Sequence, residues 1–577
     1  MSSIRRRRLT LVFAGALASC SGGDAVVATR AAVMSSPYAA DEARANAPQV
    51  SGVADSDTTA VFPTNKQNEP TLAVNPVNSA RLIGGSNDEQ RQPPCGPGPV
   101  RGNVPASDCS FFPDVGTSGL YTSSDGGQTW VNRGVLDDQA SWRALPVGQR
   151  LVSDGDPVIV YGPRPDGRGG FSYARGARAY YVTLASYAMA GGSYPTNKAP
   201  EYLAVSYSDD DGVTWSAPVL ATTKDNPNNF NDKESAWVDN DPASPFFGRL
   251  YITWTEFRSA TGSGNGNAPI DVAYSTDGGA TFSAPKQLSP AQNNSQNGGR
   301  QGSVVRSGRD GSVYVAWEGG GAQLLAISRD GGDHWTRPSS IGPVTDIDDP
   351  IPGANFRIDS FPSLAVDHRP GSTTLWAAWA TRTAAGGRVV VARSNDRGQS
   401  WSAPVVVSTA SEGYAFFQGL DVAPNGRVDV AYQALVARDA SRFGAGNAAI
   451  DTWYVRSTAT GWSTPRRLSS APSDPAASAQ NNLGRQFFGD YNTLVSRDDR
   501  AWFIATDTRR GLGCAAVDAY QVAVFGTGVM REDEEDRVDA RQGRDPYAGD
   551  PASKPSPPLV CPAQFGDSDI VVSLIRP

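Results

Sequence analysis

The sequence Ser123-Ser-Asp-Gly-Gly-Gln-Thr-Trp130 recurs through the chain with its serine, aspartate, glycine and aromatic residue at the same spacing. Four further copies, with small changes, occupy positions 208–215, 275–282, 328–335 and 394–401. A sixth copy at 457–462 keeps the serine, glycine and tryptophan but lacks the aspartate. Apolar runs flank most copies, so the repeat predicts a turn that joins two strands.

The residue types of the repeat suit a tight turn. A glycine such as Gly127 adopts backbone conformations that other residues resist, and short serine and aspartate side chains accept hydrogen bonds from turn amides. The terminal aromatic side chain is then free to pack between layers. We therefore expect the aspartate of every copy to be structural rather than catalytic.

A longer unit surrounds each turn. One apolar run opens the unit, as at 69–74 and 361–366, and a second follows it, as at 250–254 and 375–379. Seven such units follow one another, and a single four-stranded sheet cannot bury both faces whereas a closed ring of sheets can. The pattern predicts an all-β, seven-bladed β-propeller over residues 58–577, with a six-bladed ring as the alternative. Strands are expected at 519–525 and 569–575 in the last unit.

The Ser-x-Asp turn resembles the Asp-box, or BNR repeat, of the sialidase-type β-propeller superfamily, and the resemblance extends from about residue 60 to the end. In that family the boxes lie on the face away from the active site. The sialidase domain itself has six blades. The resemblance therefore implies a fold more strongly than an activity, since function resides in sites carried by folds.

The amino-acid composition argues against several classes of function. The 577 residues include 61 Gly, 42 Pro and 13 Trp, which suits many short strands joined by turns. A formal net charge of -8 argues against nucleic-acid binding, which needs a basic surface. The sequence contains only 2 His, so it offers few residues from which a histidine-dependent triad or a histidine-rich zinc site could be built. We expect no metal and no cofactor, and a monomer.

The first residues have the features of an export signal. Arg5 to Arg8 precede the apolar run 9–17, which is too short to span a bilayer. Leu17-Ala-Ser-Cys20 resembles a bacterial lipobox, which implies lipidation of Cys20 and a location in the cell envelope, at the outer membrane where one exists. The alternative is an ordinary cleaved secretory signal. Residues 1–20 are thus the signal, and 21–57 are expected to be a flexible tether.

The remaining cysteines agree with export. Cys95 and Cys109 lie in one Pro/Gly-rich loop, and Cys514 and Cys561 flank another. Four cysteines allow three pairings, and proximity in sequence favours 95 with 109 and 514 with 561.

In propellers of this family, the mouth of the central channel is lined by the starts of first strands and the ends of second strands. Charged residues are frequent at both places in this chain. Those at strand starts are Glu69, Asp154, Asp156, Asp232, Lys233, Glu234, Arg300, Arg357, Asp359 and Asp490. So many charged groups around one funnel would perturb each other's pKa values and favour a polar ligand pocket.

The resemblance also implies a set of site residues. Sialidases use a tyrosine nucleophile activated by a glutamate, an aspartate acid/base and an arginine cluster that binds the substrate carboxylate. Tyr491 matches the nucleophile in position and local pattern. The other expected site residues are the catalytic candidates Glu318, Glu256 and Asp88, and the substrate-binding candidates Arg300, Arg357, Arg510, Trp254 and Trp317.

The chain departs from the family pattern in its first unit. Where the family has an arginine in a Phe/Tyr-Arg-Ile-Pro motif, this chain has Gln67-Asn-Glu-Pro70. Tyr491 could also be an aromatic wedge at a blade seam. The leading hypothesis is an exported, sialidase-like glycoside hydrolase that acts on cell-surface or extracellular glycans. The alternatives are a non-catalytic propeller that binds a glycan or a protein, and an assembly scaffold.

Overall fold

The structure is a computed structural model, and its description here covers most of the chain between residues 33 and 577. The described residues are 33–34, 41–46, 67–89, 115–146, 148–188, 201–222, 229–258, 268–290, 300–348, 350–481, 485–525, 561–562 and 564–577. Cys20, Cys95, Cys109 and the acidic run 531–537 lie outside these residues. Among the described residues, no helix is long and apolar enough to cross a membrane.

Seven antiparallel sheets, the blades, follow one another along the chain. Each blade has four strand positions, and the first strand is the one nearest the centre of the ring. The innermost strands of blades 1 to 7 are Gln67–Val74, Leu151–Pro165, Asn229–Val238, Arg300–Ser307, Ser363–Val366, Tyr414–Val422 and Thr493–Ser496. The second strands are Leu82–Asp88, Phe171–Tyr187, Leu250–Arg258, Val313–Gly319, Leu375–Thr383, Val428–Ala437 and Ala501–Asp507.

The third and outermost strands complete the blades. The third strands are Ser118–Ser123, Tyr202–Ser208, Ile270–Ser275, Ala322–Ser328, Gly386–Ser394, Ala448–Thr458 and Asp569–Ile575. The outermost strands are Trp130–Val135, Val219–Leu220, Lys286–Gln287, Ser339–Pro343, Val405–Val406, Gly461–Trp462 together with Arg466–Arg467, and Glu42–Arg44. The prediction of a seven-bladed propeller is confirmed, and the six-bladed alternative is wrong.

Short elements connect or extend the blades. Strand Val33–Met34 pairs with the outer edge of blade 1, and the hairpin Ala479–Asn481 with Arg485–Phe487 lies between blades 6 and 7. The helical elements of the described residues are the α-helices Ala140–Arg143 and Ala515–Phe525 and the 3-10 helices Leu136–Asp138, Ala410–Glu412 and Pro475–Ala477.

The hydrophobic core lies between neighbouring blades. Trp254 of blade 3 packs in one buried cluster with Tyr180 and Val182 of blade 2, and Trp317 of blade 4 packs in another with Tyr251 and Val272 of blade 3. Each blade therefore buries its two faces against its two neighbours.

In all five turns that have the aspartate, the glycine amide donates to the serine Oγ and the amide four residues after the aspartate donates to the aspartate Oδ1. In the first, the Gly127 amide donates to Ser123 Oγ at 2.9 Å, and the amides of residues 128 and 129 donate to Asp125 Oδ1 at 3.0 Å. Trp130 Nε1 donates back to the Gly127 carbonyl at 3.1 Å. The bonds hold each aspartate within its own turn, as expected for a structural residue.

The turns lie at the end of the channel where the inner strands finish. Asn75, which follows the inner strand of blade 1, donates from Nδ2 to Asp211 Oδ1 in the second turn at 2.7 Å. Trp502, near the start of the second strand of blade 7, donates to the Gly126 carbonyl in the first turn at 2.8 Å. We call this end the turn end and the opposite end, where the inner strands begin, the mouth.

An early segment of the chain closes the ring. Strand Glu42–Arg44 pairs antiparallel with Asp569–Ile575 and forms the outermost strand of blade 7. Arg44 Nη1 lies 3.3 Å from Asp569 Oδ1, and both side chains are buried. The expected tether 21–57 is therefore wrong for residues 41–46, because a three-residue strand needs too few apolar residues to stand out in an Ala- and Ser-rich segment.

The segment 519–525, expected as a strand, is instead part of the helix Ala515–Phe525. Val517, Tyr520 and Gln521 are buried, whereas Val522 is 45% exposed. A strand would place Tyr520 and Val522 on one face, while burial at i, i+3 and i+4 is the pattern of a helix. The expected disulfide between Cys514 and Cys561 is present at the start of this helix.

We predict that Arg44→Ala strongly destabilises the ring. The substitution removes a guanidinium from the Asp569 carboxylate, which is 1% exposed, and breaking such a buried pair costs about 3–5 kcal/mol of the free energy of unfolding. Denaturant titration measures the change. The control is Arg576→Ala, because Arg576 pairs with Asp41 in the same region but is 63% exposed, and loss of an exposed pair costs about 1 kcal/mol or less. Equal losses in the two variants would contradict the closing role of Arg44.

Candidate functional site

A repeated irregularity of the inner strands builds the mouth. In blades 1, 2, 3, 4 and 6 the pairing of first and second strands shifts register near the start of the inner strand. At least one residue at each shift has a positive φ: Glu69 at 54°, Asp156 at 49°, Lys233 at 52°, Gly302 at 64° and Phe417 at 48°. For a non-glycine residue this conformation costs about 1–2 kcal/mol, so the surrounding packing must hold it.

The bulged residues of the first three blades meet at one point. Lys233 Nζ lies 3.1 Å from Glu69 Oε1 and 3.5 Å from Asp156 Oδ2, and it also forms an ion pair with Asp490 of blade 7. Burial alone would lower the pKa of the Lys233 ammonium, but Asp156, Asp490 and Glu69 together raise it well above its usual value. The ammonium is therefore charged at neutral pH and links four blades.

Asp490 is held by a second cation. Arg357 Nε lies 2.8 Å from Asp490 Oδ1, and Arg357 Nη2 lies 2.6 Å from Oδ2, in a bidentate pair. Burial of Asp490 opposes its ionisation, but Arg357 and Lys233 hold the pKa of this carboxyl well below its usual range. Asp490 is thus a carboxylate at neutral and mildly acidic pH.

Three other carboxyl groups share protons beside this pair. Burial and the Asp156 charge raise the pKa of Glu69 well above its usual value, and burial raises the pKa of Asp232 to about 7. Asp156 lies between them, accepts hydrogen bonds from both, and keeps a low pKa because Lys233 and these bonds outweigh its burial. The trio therefore combines protonated and ionised carboxyls near neutral pH, as acid/base chemistry requires.

Side chains from blade 1 position the trio. Asn87 Nδ2 donates to Glu69 Oε2 at 2.6 Å, while Asn87 Oδ1 accepts from the Asp156 amide at 2.7 Å. Gln301 of blade 4 donates to Asp232 Oδ2 at 3.1 Å. These amides fix the carboxyl groups without adding charge.

Glu234 is the least satisfied group of the mouth. The residue is 7% exposed, and neither of its carboxylate oxygens has a hydrogen-bond partner among the described residues. Burial and the nearby Asp156 raise its pKa well above the usual value, so the side chain is a neutral acid. A buried proton donor without a partner is costly, which makes Glu234 a candidate functional residue.

Tyr491 lies beside Lys233. Its side chain is half-buried, and its ring centroid lies 5.1 Å from Lys233 Nζ. The hydroxyl has no hydrogen-bond partner within the described part of the chain. Burial, followed by Asp156, Glu69 and Glu234, raises the pKa of the Tyr491 phenol well above its usual value, so ionisation of the phenol requires a base. We call Glu69, Asp156, Asp232, Lys233, Glu234, Arg357, Asp490 and Tyr491 the mouth cluster.

The other expected catalytic carboxyls have different surroundings. Asp88 accepts from Gln67 Nε2 at 3.1 Å and from Tyr121 Oη at 2.7 Å, and it is 2% exposed. Glu256 forms an ion pair with Arg258 at 2.5 Å. Glu318 is buried, and its Oε1 has no partner within the described residues. The groups that act most strongly on Tyr491 are Asp156, Glu69 and Glu234 rather than these three.

The expected substrate-binding residues separate into three groups. Trp254 and Trp317 are 1% and 0% exposed and belong to the core between blades, so the expectation that they contact a ligand is wrong. Their apolar surface is needed to pack neighbouring sheets. Arg357 reaches the mouth but is bound to Asp490, whereas Arg510 is exposed beyond the second strand of blade 7. Arg300 begins the inner strand of blade 4.

No group of three or more His, Cys, Asp or Glu side chains in the described residues is arranged to hold a metal ion. The groups that the mouth cluster offers for chemistry are its carboxyl groups, its two cations and its tyrosine.

Comparison with known proteins gives structural similarities only. No protein-family model and no curated protein matches the chain. The solved Hadza microbial sialidase Hz136 is 19% identical, with 64% of this chain and 63% of that chain covered and a TM-score of 0.37. The leech intramolecular trans-sialidase is 14% identical, with 67% of each chain covered and a TM-score of 0.37. NanB sialidase from Streptococcus pneumoniae is 11% identical, with 74% and 80% covered and a TM-score of 0.36. These similarities assign no chemistry to the mouth.

We predict that Glu318→Gln stabilises the protein above mildly acidic pH. Burial raises the pKa of Glu318 to about 9 from an ordinary value of 4.5, with Asp346 adding to the effect. Between these pH values the folded state keeps a proton that the unfolded state releases, so stability falls as pH rises through this window. Glutamine does not titrate, and the variant should gain about 3 kcal/mol near neutral pH.

Denaturant titrations below and above the ordinary pKa of glutamate test this prediction. Wild type and Glu318→Gln should unfold alike in the acidic series and differ in the neutral one. The control is Glu412→Gln, because Glu412 is equally buried but accepts a hydrogen bond from Tyr432 Oη at 2.6 Å and should gain nothing. A Glu318→Gln variant that is no more stable than wild type at neutral pH would refute the buried-acid interpretation.

Proposed function

We propose that the protein is a glycoside hydrolase whose active site is the mouth cluster. The observation that carries the proposal is the half-buried Tyr491, which lies 5.1 Å from Lys233 Nζ and feels the charges of Asp156, Glu69 and the unpartnered Glu234. The resemblance of the Ser-x-Asp turns to Asp-boxes, and the position of Tyr491 at the opposite end of the channel from those turns, support a sialidase-like arrangement.

The geometry supports a division of roles. The Tyr491 phenol is the nucleophile, because a neutral phenol can approach a sugar ring without the repulsion that a second carboxylate would meet in so acidic a mouth. The ionised member of the trio, Asp156, accepts the phenol proton. Glu234 keeps its proton at neutral pH and donates it to the leaving-group oxygen.

The charges of the mouth favour a particular substrate. Lys233 and Arg357 are both paired with carboxylates, so neither is available to a substrate carboxylate without breaking an ion pair. Asn68 also stands in the motif position where sialidases carry an arginine. We therefore expect neutral sugars to be better substrates than sialic acid.

A panel of fluorogenic sialosides and neutral aryl glycosides tests the activity. Tyr491→Phe and Glu234→Gln should each lower kcat by about 100-fold or more, because each removes a group that forms or breaks a bond, while thermal stability is retained. Tyr187→Phe is the matched control, since Tyr187 is a 42% exposed tyrosine at the mouth end of blade 2. Turnover that survives Tyr491→Phe would refute the nucleophile.

The geometry also supports a second function, glycan binding without catalysis. Within the described residues no glutamate accepts a hydrogen bond from the Tyr491 hydroxyl, so the aromatic ring could serve as a stacking surface. A protein that turns over no glycoside but retains glycans on an array, with binding lost in Tyr491→Ala, would support this function. Absence of both activities would refute both.

We further propose that the protein is exported and lipidated on Cys20, on the basis of the Leu17-Ala-Ser-Cys20 pattern and the preceding basic and apolar segments. In a bacterial host, labelled palmitate should be incorporated into wild type and not into Cys20→Ser. Secretion of an unlabelled wild-type protein into the medium would favour an ordinary cleaved signal instead.

A further inference from the structure

A cavity opens between blades 4 and 5 at the turn end of the channel. Its volume is about 260 Å³, just below the range of about 300–1,000 Å³ of pockets that hold drug-sized ligands. The residues that matter for its chemistry are Arg309, Asp310 and Tyr314 of blade 4 and Val366, Leu375 and Arg397 of blade 5. The cavity therefore has room for a ligand of about the size of one sugar ring.

Arg397 occupies a backbone position at which an arginine is unfavourable. It precedes the glycine of the fifth Ser-x-Asp turn and has a φ of 59°. The first, third and fourth turns have Gly126, Gly278 and Gly331 at the same position, also with positive φ. This conformation is disfavoured for any residue that has a Cβ, so the fifth turn keeps its arginine against the backbone preference.

Contacts within the fold do not account for the Arg397 guanidinium. Asp211, the non-glycine residue at this position of the second turn, accepts hydrogen bonds from Asn75 Nδ2 at 2.7 Å and from Tyr161 Oη at 3.0 Å. Arg397 has only its Nε near an acceptor, at 2.9 Å from Asp310 Oδ2, and its side chain is 43% exposed. Its Nη1 and Nη2 have no hydrogen-bond partner among the described residues.

Arg309 presents a second guanidinium to the same cavity. Its Nη1 donates to Asp241 Oδ2 at 3.3 Å, and its Nε and Nη2 have no partner in the described part of the chain. The neighbouring Arg369, which does not line the cavity, instead makes a bidentate pair with Asp367 through Nε at 2.9 Å and Nη2 at 2.7 Å. The two arginines of the cavity wall therefore keep N–H donors available, whereas the arginine beside them does not.

The charges around the cavity cancel. Each nearby guanidinium is paired with one carboxylate, in the pairs Arg309 with Asp241, Arg369 with Asp367, and Arg397 with Asp310. A bound anion would meet the carboxylates and a bound cation would meet the guanidiniums, so the cavity favours neither sign. Its wall offers hydrogen-bond donors and acceptors without net charge, which suits a neutral polar ligand.

The rest of the lining is apolar. Val366, Leu375 and the ring of Tyr314 lie along the cavity opposite the charged groups in chemistry. A sugar ring carries hydroxyl groups around its edge and C–H groups on its two faces, so it requires both kinds of lining at once. The planar donor array of a guanidinium can bind two neighbouring hydroxyl oxygens together.

We propose that this cavity is a binding site for a single neutral sugar unit, held by Arg309 and Arg397 against the apolar lining of Val366 and Leu375. The site lies at the opposite end of the channel from the mouth cluster and does not depend on the function proposed for that cluster.

A panel of methyl glycosides of neutral hexoses tests the site by saturation-transfer NMR and thermal unfolding. At least one should bind wild type and raise its melting temperature with increasing concentration. Arg397→Gly should weaken this binding by about 10-fold or more, the loss expected for hydrogen bonds from a charged group. The variant should fold, because glycine suits the positive φ. Any binding at the mouth is the same in both proteins, so their difference reports the turn-end cavity alone.

Two further variants make the test specific. Asp211→Gly is the matched control, because it places glycine at the same position of another Ser-x-Asp turn, with a φ of 58°, and should leave sugar affinity unchanged. Ala243→Trp adds an indole at the edge of the cavity, since Ala243 lines it and is exposed, and should abolish binding while both arginines remain.

Each outcome decides for or against the site. Binding that is lost in Arg397→Gly and Ala243→Trp and kept in Asp211→Gly supports it. Hexoside binding that is equal in wild type and Arg397→Gly would overturn it, and so would the absence of any hexoside binding. Sulfate or acetate that binds in place of the hexosides and is lost in Arg397→Gly would show an anion site and overturn the assignment to a neutral sugar.

Discussion

The structure depends on closure of a ring, and closure depends on three residues. Strand Glu42–Arg44 supplies the outer edge of a blade whose other strands come from the far end of the chain. Because every blade buries its faces against two neighbours, a gap at one junction would expose two apolar faces at once. The buried pair of Arg44 and Asp569 is thus a constraint on the whole ring rather than on one sheet.

Closure is also what makes a site possible. Glu69, Asp156 and Lys233 come from three different blades and meet only because the inner strands converge on one axis. Each is held in a left-handed conformation that a free chain would avoid. The cost of this strain and of burying so many carboxyl groups is offset by packing elsewhere, which is the usual sign of a site shaped by function rather than by stability.

The fold can be predicted from the sequence because the Ser-x-Asp turn recurs along the chain and its residue types are those of a tight turn. The sequence also predicts Glu69, Lys233 and Asp490 at the starts of inner strands. The structure has Glu69 and Lys233 within Gln67–Val74 and Asn229–Val238, and Asp490 three residues before Thr493–Ser496. The sequence does not distinguish Glu234 from its neighbours, because the lack of a hydrogen-bond partner is a property of the assembled mouth and leaves no local pattern. The sequence pattern places Trp254 and Trp317 at the mouth because second strands end there. Side chains of successive strand residues point to opposite faces, so a difference of one residue decides between the mouth and the neighbouring blade. The sequence predicts a strand within the helix Ala515–Phe525 because an apolar segment of that length fits the periodicity of a strand as well as that of a helix.

The pairing of strand Glu42–Arg44 with Asp569–Ile575 in blade 7 has a consequence for the order of the blades along the chain. The Leu574 amide donates to the Asp41 carbonyl at 2.7 Å, so two segments more than five hundred residues apart in sequence are immediate neighbours in space. A short peptide joining them would turn the polypeptide into a continuous loop without moving a blade, and that loop could be reopened between other blades. The packing therefore requires a particular order of the blades around the axis. It does not require the chain to begin at a particular blade.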